Sequence, residues 1–156
     1  MLELKHEFLF EMELKIPAGY QLGQGTLGTR IIAPFEGGWF KGKISGEVLP
    51  GGGDWMIIGA DGVMVIDVRG ILKADDGSII HAAYGGRIVI PPHLAEKAFN
   101  PETVGDIDPA DYYFRSTPTF DVATTSPHAW LNGRVAVGVG RLMNGGGVGY
   151  KVYTIE

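Results

Sequence analysis

The sequence contains no cysteine. A chain without cysteine forms no disulfides, has no thiolate nucleophile and offers a metal no thiolate ligands. The first fifteen residues, MLELKHEFLFEMELK, also lack a long uncharged apolar run, because charged residues occur throughout this segment. This segment predicts neither a signal peptide nor a membrane span. We therefore expect a cytoplasmic protein that has no membrane partner.

Positive charge is scarce as well. Lys and Arg total 13 against 18 Asp and Glu, which gives a formal net charge of -5. Nucleic-acid binding needs a basic patch, so we expect no nucleic-acid partner. The four histidines, at positions 6, 81, 93 and 128, lack the i,i+2 or i,i+4 spacing of metal ligands. We predict no metal and no other cofactor.

The sequence is rich in glycine and in strand-like alternation of apolar and polar residues. Its 156 residues predict one domain over 1–156 with a core of its own. The 25 glycines are roughly double the usual share of about 7%, and they are spread among β-like runs as turn and bend positions. Around eight or more runs at hairpin spacing predict a single antiparallel β-barrel, with a β-sandwich as the alternative.

The regular alternation begins in a predicted strand over residues 2–16, whose apolar face includes His6 and Phe8. Two segments interrupt the β pattern. Helical spacing and Pro92 predict a short helix near 92–99, and an Asp-Pro start predicts a second helical turn near 108–113.

The segment Gly37–Trp55, GGWFKGKISGEVLPGGGDW, is the predicted organising element of the chain. Its alternation predicts one bent strand, followed by a triple-glycine turn that presents Asp54 beside Trp55. A carboxyl group desolvated against an indole has a raised pKa, which suits a general acid or base. The alternative is that Asp54 accepts hydrogen bonds from the amides of its own glycine turn.

Further candidates are charged or aromatic residues on predicted strands. Asp67 and Arg69 share one strand face, either inside the barrel holding a substrate oxygen or outside as a solvated pair. Tyr113 and Arg115 either polarise a carbonyl group or plug a barrel end. The other candidates for substrate binding are Glu47, Tyr84, Trp130, Asn132 and Arg141. Trp130 and Asn132 share one face of a predicted strand through 130–132.

Four motifs in order, GGWFKGKISGEVLPGGGDW, IDVRGILKADDGSIIHAAYGG, DYYFRSTPTFD and HAWLNGRVAVGVGR, resemble the domain of unknown function 3237, also called uncharacterised protein family 0311. The resemblance runs from about Arg30 to the C-terminus and also includes the first strand, so it covers nearly the whole chain. It implies a β-barrel similar to the allene oxide cyclase and dirigent type, often oligomeric, with a cavity. It implies no particular reaction.

Two functions follow as hypotheses. The first is a cofactor-independent isomerase, cyclase or lyase acting on a small, partly apolar oxygenated molecule in the barrel. In this hypothesis Asp54 transfers the proton, and Arg69, Arg115 or a tyrosine stabilises the oxyanion. The second is a non-catalytic carrier or sensor of a small hydrophobic ligand. A lumen in which Asp54 lies near Arg or Tyr groups favours the enzyme, and a wholly apolar lumen favours the carrier. In both cases we expect a homo-oligomer.

Overall fold

The computed structural model of the protein describes residues 2–156. It contains eleven β-strands, one α-helix and five short 3₁₀ helices. The strands are β1 (His6–Lys15), β2 (Tyr20–Gly25), β3 (Gly28–Pro34), β4 (Gly37–Gly42), β5 (Gly46–Ile58), β6 (Met64–Ala74), β7 (Ile79–Val89), β8 (Tyr113–Ser116), β9 (Thr119–Val122), β10 (Ala136–Leu142) and β11 (Val148–Ile155). The helices are α1 (Ala95–Ala98) and the 3₁₀ turns Pro92–Leu94, Val104–Asp106, Pro109–Asp111, Ala129–Gly133 and Asn144–Gly146.

Eight strands close an antiparallel barrel in the order β5-β4-β1-β11-β10-β8-β7-β6, and β6 pairs back to β5. The predicted barrel is therefore confirmed. The β2–β3 hairpin lies outside this circuit, because β3 pairs with the second half of β5 after β4 has ended. Strand β9 pairs with the first half of β7, beside β8 on its second half.

The core lies inside the barrel and follows the alternation of the strands. On β6, for example, Met64, Ile66, Val68, Gly70 and Leu72 are buried while the residues that alternate with them are more exposed. One half of the interior is filled by aromatic rings around Phe10. Its ring centroid lies 5.2 Å from that of Phe40 and 6.2 Å from that of Phe120.

The segment Gly37–Trp55 forms a hairpin, not the single bent strand that the alternation predicts. It contains β4, a tight connection and the first part of β5, which pair as Gly38↔Val48 and Phe40↔Gly46. The triple glycine is also not a turn. It lies within β5 at a bulge, where the pairing with β6 shifts between Leu49 and Gly53. Gly51 has a φ of 112° there, which only glycine adopts without strain.

The first strand differs from its prediction in the same way. It begins at His6, and its pairing with β11 shifts between Phe8 and Phe10. This irregularity reverses the faces, so Phe10 points inward while His6 and Phe8 are exposed. The predicted inward position of His6 is wrong. Its ring contacts Tyr153 on the outer wall, with 5.5 Å between the ring centroids.

Both predicted helical segments are present. Residues 92–98 form a 3₁₀ turn continued by α1, and Pro109–Asp111 is a 3₁₀ turn capped by the Asp108 carboxylate, which accepts from Ala110 N at 2.9 Å. Residues 130–132 belong to a 3₁₀ helix, so the strand predicted there is wrong. Within residues 2–156, none of the helices has the length and apolar character needed to span a membrane.

Candidate functional site

A cavity of about 210 Å³ occupies the other half of the barrel interior. It opens at the barrel end where β1 and β7 finish and where Ala98 and Phe99 of the helical segment reach across. The residues that line it are almost entirely apolar: Ile16, Ile31, Ala33, Phe35, Asp54, Met56, Met64, Ile66, Val68, Ile88, Ile90, Ala98, Phe99, Phe114, Leu142, Gly146, Val148 and Tyr150. Asp54 is therefore an isolated carboxyl group in an apolar chamber.

Asp54 reaches the cavity because it follows the glycine bulge in β5. There it pairs with Val68 of β6 on one side and Ala33 of β3 on the other. Its Oδ1 accepts a hydrogen bond of 2.9 Å from the backbone N–H of Asp67. The expected alternative, hydrogen bonds from its own glycine turn, is wrong, because the amide comes from the neighbouring strand. Oδ2 makes no hydrogen bond within residues 2–156.

The environment of Asp54 raises its pKa to about 6. Burial among apolar groups is the largest cause, since it penalises the charged form. The hydrogen bond from the Asp67 amide opposes this effect, and the negative charge of the Asp67 side chain adds to it. A carboxyl group with a pKa near 6 exchanges its proton readily near neutral pH, which is what general acid–base catalysis requires.

Three aromatic residues form the floor beneath Asp54. Tyr150 packs edge-on against Tyr84 and Phe114, with ring centroids 5.6 Å and 5.2 Å away. Phe114 fits because β10 has glycine opposite it, where a Cβ on Gly140 would lie 2.5 Å from the ring. Burial is the largest cause that raises the pKa of both tyrosines. The contact between the two hydroxyls lowers the pKa of Tyr84 and raises that of Tyr150, and the negative charge of Asp54 raises both. Both hydroxyls are therefore protonated donors at neutral pH.

The Tyr84 hydroxyl is the unusual member of this floor. It is buried and makes no hydrogen bond of good geometry within residues 2–156, although the Tyr150 hydroxyl lies close enough to lower its pKa. Buried polar atoms without partners are rare in native proteins. The sequence predicts Tyr84 as a substrate-binding residue, but it lies behind Tyr150 and not on the cavity wall itself.

Together these groups can move a proton and stabilise an oxygen. Asp54 is the acid or base, and Tyr150 is the hydroxyl donor that shares the cavity with it. The cavity wall contains no Lys, Arg or His among the described residues, so guanidinium stabilisation of an oxyanion has no source there.

Of the two positions expected for Asp67 and Arg69, the structure has the outer one, so the pair does not hold a substrate oxygen in the lumen. Both side chains are exposed on the outer wall, because the alternate residues Met64, Ile66 and Val68 face inward. Tyr113 and Arg115 of β8 also point outward, with the guanidinium carbon 5.2 Å from the Tyr113 ring centroid. They lie away from Asp54 and cannot serve the cavity.

The remaining predicted site residues lie elsewhere on the surface. Trp55 and Glu47 point out of β5, and the Trp55 ring is 40% exposed. The side-chain amide of Asn132 binds the backbone of Val122 through both its oxygen and its nitrogen, at 2.8 and 2.9 Å. Trp130 is exposed near that turn. Arg141 binds Glu13 at 2.9 Å on the outer wall.

Sequence reasoning missed Tyr150 and the apolar wall. Alternation in β11 places Tyr150, Val152 and Thr154 on the inward face, so this signal could have identified the tyrosine. No sequence signal distinguishes a residue that lines a cavity from one that fills a core. Over residues 2–156, no group of three or more His, Asp or Glu side chains is arranged to hold a metal.

Comparison with known proteins gives a family match over nearly the whole chain. Residues 4–155 match the family described as "Protein of unknown function (DUF3237)". A UPF0311 protein of Clostridium acetobutylicum is 32% identical over 138 residues, which are 86% of this chain and 84% of that protein. The structure of a conserved protein of unknown function from Rhodopseudomonas palustris is similar with a TM-score of 0.88, 27% identity and full coverage of both chains.

A more distant similar structure is that of an enzyme. An enzyme from Penicillium herquei is similar with a TM-score of 0.69 and 20% identity, over 100% of this chain and 97% of that one. At this identity the similarity concerns the fold alone.

Proposed function

The chain belongs to the DUF3237 family of proteins of unknown function, and we propose that it is a cofactor-independent enzyme of the isomerase, cyclase or lyase type. Its substrate is a small, largely apolar oxygenated molecule bound in the barrel cavity. Asp54 is the general acid–base, and Tyr150 donates a hydrogen bond to the substrate oxygen. The observation that carries the proposal is the single carboxyl group, with a pKa near 6, in an otherwise apolar cavity.

The simplest reaction of this kind is proton transfer next to a carbonyl group. Asp54 Oδ2 takes a proton from the α-carbon, and the C–H electron pair forms the C=C bond of an enolate. The negative charge develops on the carbonyl oxygen, where the Tyr150 hydroxyl stabilises it. If the substrate has a β,γ C=C bond, the enolate is a dienolate, and returning the proton to its γ-carbon moves the double bond into conjugation. If it has a leaving group on the β-carbon, the enolate electrons form the α,β C=C bond as that group departs with its bonding pair, which completes an elimination. Asp67 N–H keeps the Asp54 carboxyl oriented throughout.

Deuterium exchange tests this proposal with model ketones in place of the natural substrate. The protein is incubated in D₂O with a panel of apolar cyclic ketones, and deuterium at the α-carbon is followed by NMR. We expect exchange by the native protein that increases as pH rises through about 6, where Asp54 ionises. Asp54→Asn is expected to lower the rate by about 100-fold or more.

Asp67→Asn is the matched control, because Asp67 carries the neighbouring carboxylate but faces outward. Its backbone amide, which holds Asp54, is unchanged. This variant is expected to retain the rate and to move the pH profile slightly to lower pH, since one negative charge near Asp54 is removed. Equal exchange rates for Asp54→Asn and the native protein would refute the role of Asp54.

The carrier or sensor of a hydrophobic ligand is the second candidate. It is favoured by the absence of the predicted arginines from the cavity, which leaves a wall that is apolar apart from Asp54 and Tyr150. Ketones that bind in the cavity but show no exchange above the buffer rate would support the carrier over the enzyme.

The expected homo-oligomer stays a prediction. Several large apolar side chains are exposed on the outer wall and on the β2–β3 hairpin, among them Tyr20, Leu22, Leu27, Trp39 and Trp55. Where such side chains form a contiguous patch, they are typical of contact surfaces between subunits. Light scattering during size-exclusion chromatography measures the number of chains directly, and a monomer at all concentrations would contradict the expectation.

A further inference from the structure

The charge of the cavity wall restricts what the cavity can bind. Among residues 2–156, the only ionisable side chains that line it are Asp54 and Tyr150, and both are neutral or negative in every protonation state. Arg69 and Arg115, which the sequence predicts as stabilisers of an oxyanion, lie on the outer face of the barrel. A ligand anion in the chamber would therefore be buried without a cationic partner, which is strongly unfavourable.

Asp54 adds a second penalty for an anion. Its Oδ1 already has one donor, the Asp67 amide, and burial already disfavours its charged form. A negatively charged ligand would either sit beside this carboxylate or force it to take up a proton. The Tyr150 hydroxyl is the one further side-chain donor on the wall in the described part of the chain, and it cannot neutralise a full charge.

An uncharged oxygen meets none of these penalties. A hydroxyl group can donate to Asp54 Oδ2 and accept from Tyr150, and a carbonyl group can accept from Tyr150 or from protonated Asp54. The remaining wall, from Met56 and Ile66 to Phe114, offers only apolar contact. The polar groups thus suit one oxygen, and the rest of the chamber suits a hydrocarbon body.

We infer that the cavity selects uncharged molecules, with an apolar body and one hydroxyl or carbonyl oxygen directed at Asp54 and Tyr150, and rejects the carboxylate form of the same skeleton. This inference rests on the proposed function for the location of the site. It adds the substrate class, which excludes carboxylic and phosphate-bearing metabolites as direct substrates.

Three ligands that share a ring system test the inference. Binding of 2-naphthol, 2-naphthoate and 2-naphthylmethylammonium is measured at pH 7.5 by isothermal titration calorimetry. We expect 2-naphthol to bind at least about 100-fold more tightly than the carboxylate. Equal or tighter binding of 2-naphthoate overturns the inference. Tighter binding of the ammonium ion also overturns it, because the site would then be an amine site, and so does the failure of all three to bind.

A charge introduced into the wall gives the converse test. Ile31 of β3 lines the cavity, and Ile32 is its neighbour on the opposite face of the same strand. Ile31→Lys supplies the missing cation and is expected to strengthen 2-naphthoate binding by about 10-fold or more. Ile32→Lys is the matched control and is expected to leave both affinities unchanged. An equal gain in the two variants would show that the anion binds outside the cavity.

The inference about the substrate class and the proposed catalytic role of Asp54 can be refuted independently of each other. If Asp54→Asn exchanges deuterium as fast as the native protein while 2-naphthol still outcompetes 2-naphthoate, the acid–base role is refuted and the ligand class stands. If the native protein binds 2-naphthoate as tightly as 2-naphthol while Asp54→Asn has lost exchange, the ligand class is refuted and the catalytic role stands.

Discussion

The two halves of the barrel interior are built from the same strands but have different contents. On β6, Leu72 lies in the half that is filled by Phe10 and Phe40, whereas Met64 and Ile66 line the cavity. The filled half is where burial stabilises the fold, and the cavity half is where volume and one carboxyl group are left for a ligand. A single strand can therefore contribute to stability at one end and to binding at the other.

The largest expected difference between the halves concerns truncation. Phe10 is 1% exposed and contacts two other rings, so Phe10→Ala should lower the free energy of unfolding by about 4 kcal/mol. Met56 is half-buried beside empty volume, and Met56→Ala should cost only about 1 kcal/mol. Urea denaturation of both variants measures the two values. Similar losses would mean that the cavity half is as tightly packed as the filled half.

Enlarging a side chain should destabilise the fold in the filled half but should be tolerated in the cavity half. Ala82 is 3% exposed and pairs with Phe120 across β7 and β9, so Ala82→Leu should destabilise the fold by about 2 to 3 kcal/mol. Ala33 lines the cavity beside Asp54, and Ala33→Leu has space to enter. It should leave stability nearly unchanged and abolish binding of 2-naphthol. Ligand binding that survives in Ala33→Leu would place the binding site elsewhere.

The barrel was predictable from sequence because turns and alternation are local signals. The positions at which a strand reverses its inward and outward faces were not predictable from sequence. Phe8 and Phe10 have the same parity, yet an irregular pairing with β11 between them turns Phe8 outward. The parity of Asp54 likewise depends on the glycine bulge before it, which is defined by the pairing of β5 with β6. Such shifts are properties of two strands together, so one strand's sequence does not specify them.

The site was predictable in part for the same reason. Asp54 was identified because it follows an unusual glycine run, and the structure places it in the cavity. The two faces of β6 have clear polarity, so the outward position of Asp67 and Arg69 follows from the ordinary rule that apolar faces are buried. What no pattern provides is the empty volume, because it depends on how side chains from eight strands meet.

The pH dependence of stability sharpens the contrast between Asp54 and the rest of the core. Because the folded pKa of Asp54 is raised to about 6, the folded protein holds a proton that the unfolded chain, with a pKa near 4, releases. This contribution to stability is complete below about pH 4 and is lost as pH rises through about 6. Asn resembles the protonated carboxyl and retains the acceptor for Asp67 N–H.

We therefore expect Asp54→Asn to be more stable than the native protein by about 2 kcal/mol at pH 8 and equally stable at pH 4. Denaturation at both pH values provides the measurement. Asp67→Asn, on the exposed face, should show no such divergence. A stability difference that is the same at both pH values would mean that Asp54 ionises normally in the folded protein.

The smallest expected effect concerns the boundary between the two halves, where Tyr84 and Tyr150 meet. The buried Tyr84 hydroxyl has only a poorly aligned contact with the Tyr150 hydroxyl among residues 2–156, whereas the Tyr112 hydroxyl accepts a hydrogen bond of 2.8 Å from Leu142 N. Tyr84→Phe should therefore raise the free energy of unfolding by about 1 kcal/mol, and Tyr112→Phe should lower it by a similar amount. Thermal and urea denaturation of the two variants give the comparison. If both are destabilised equally, the Tyr84 hydroxyl has a partner in solution, and the polar floor of the cavity extends from Tyr150 down to Tyr84.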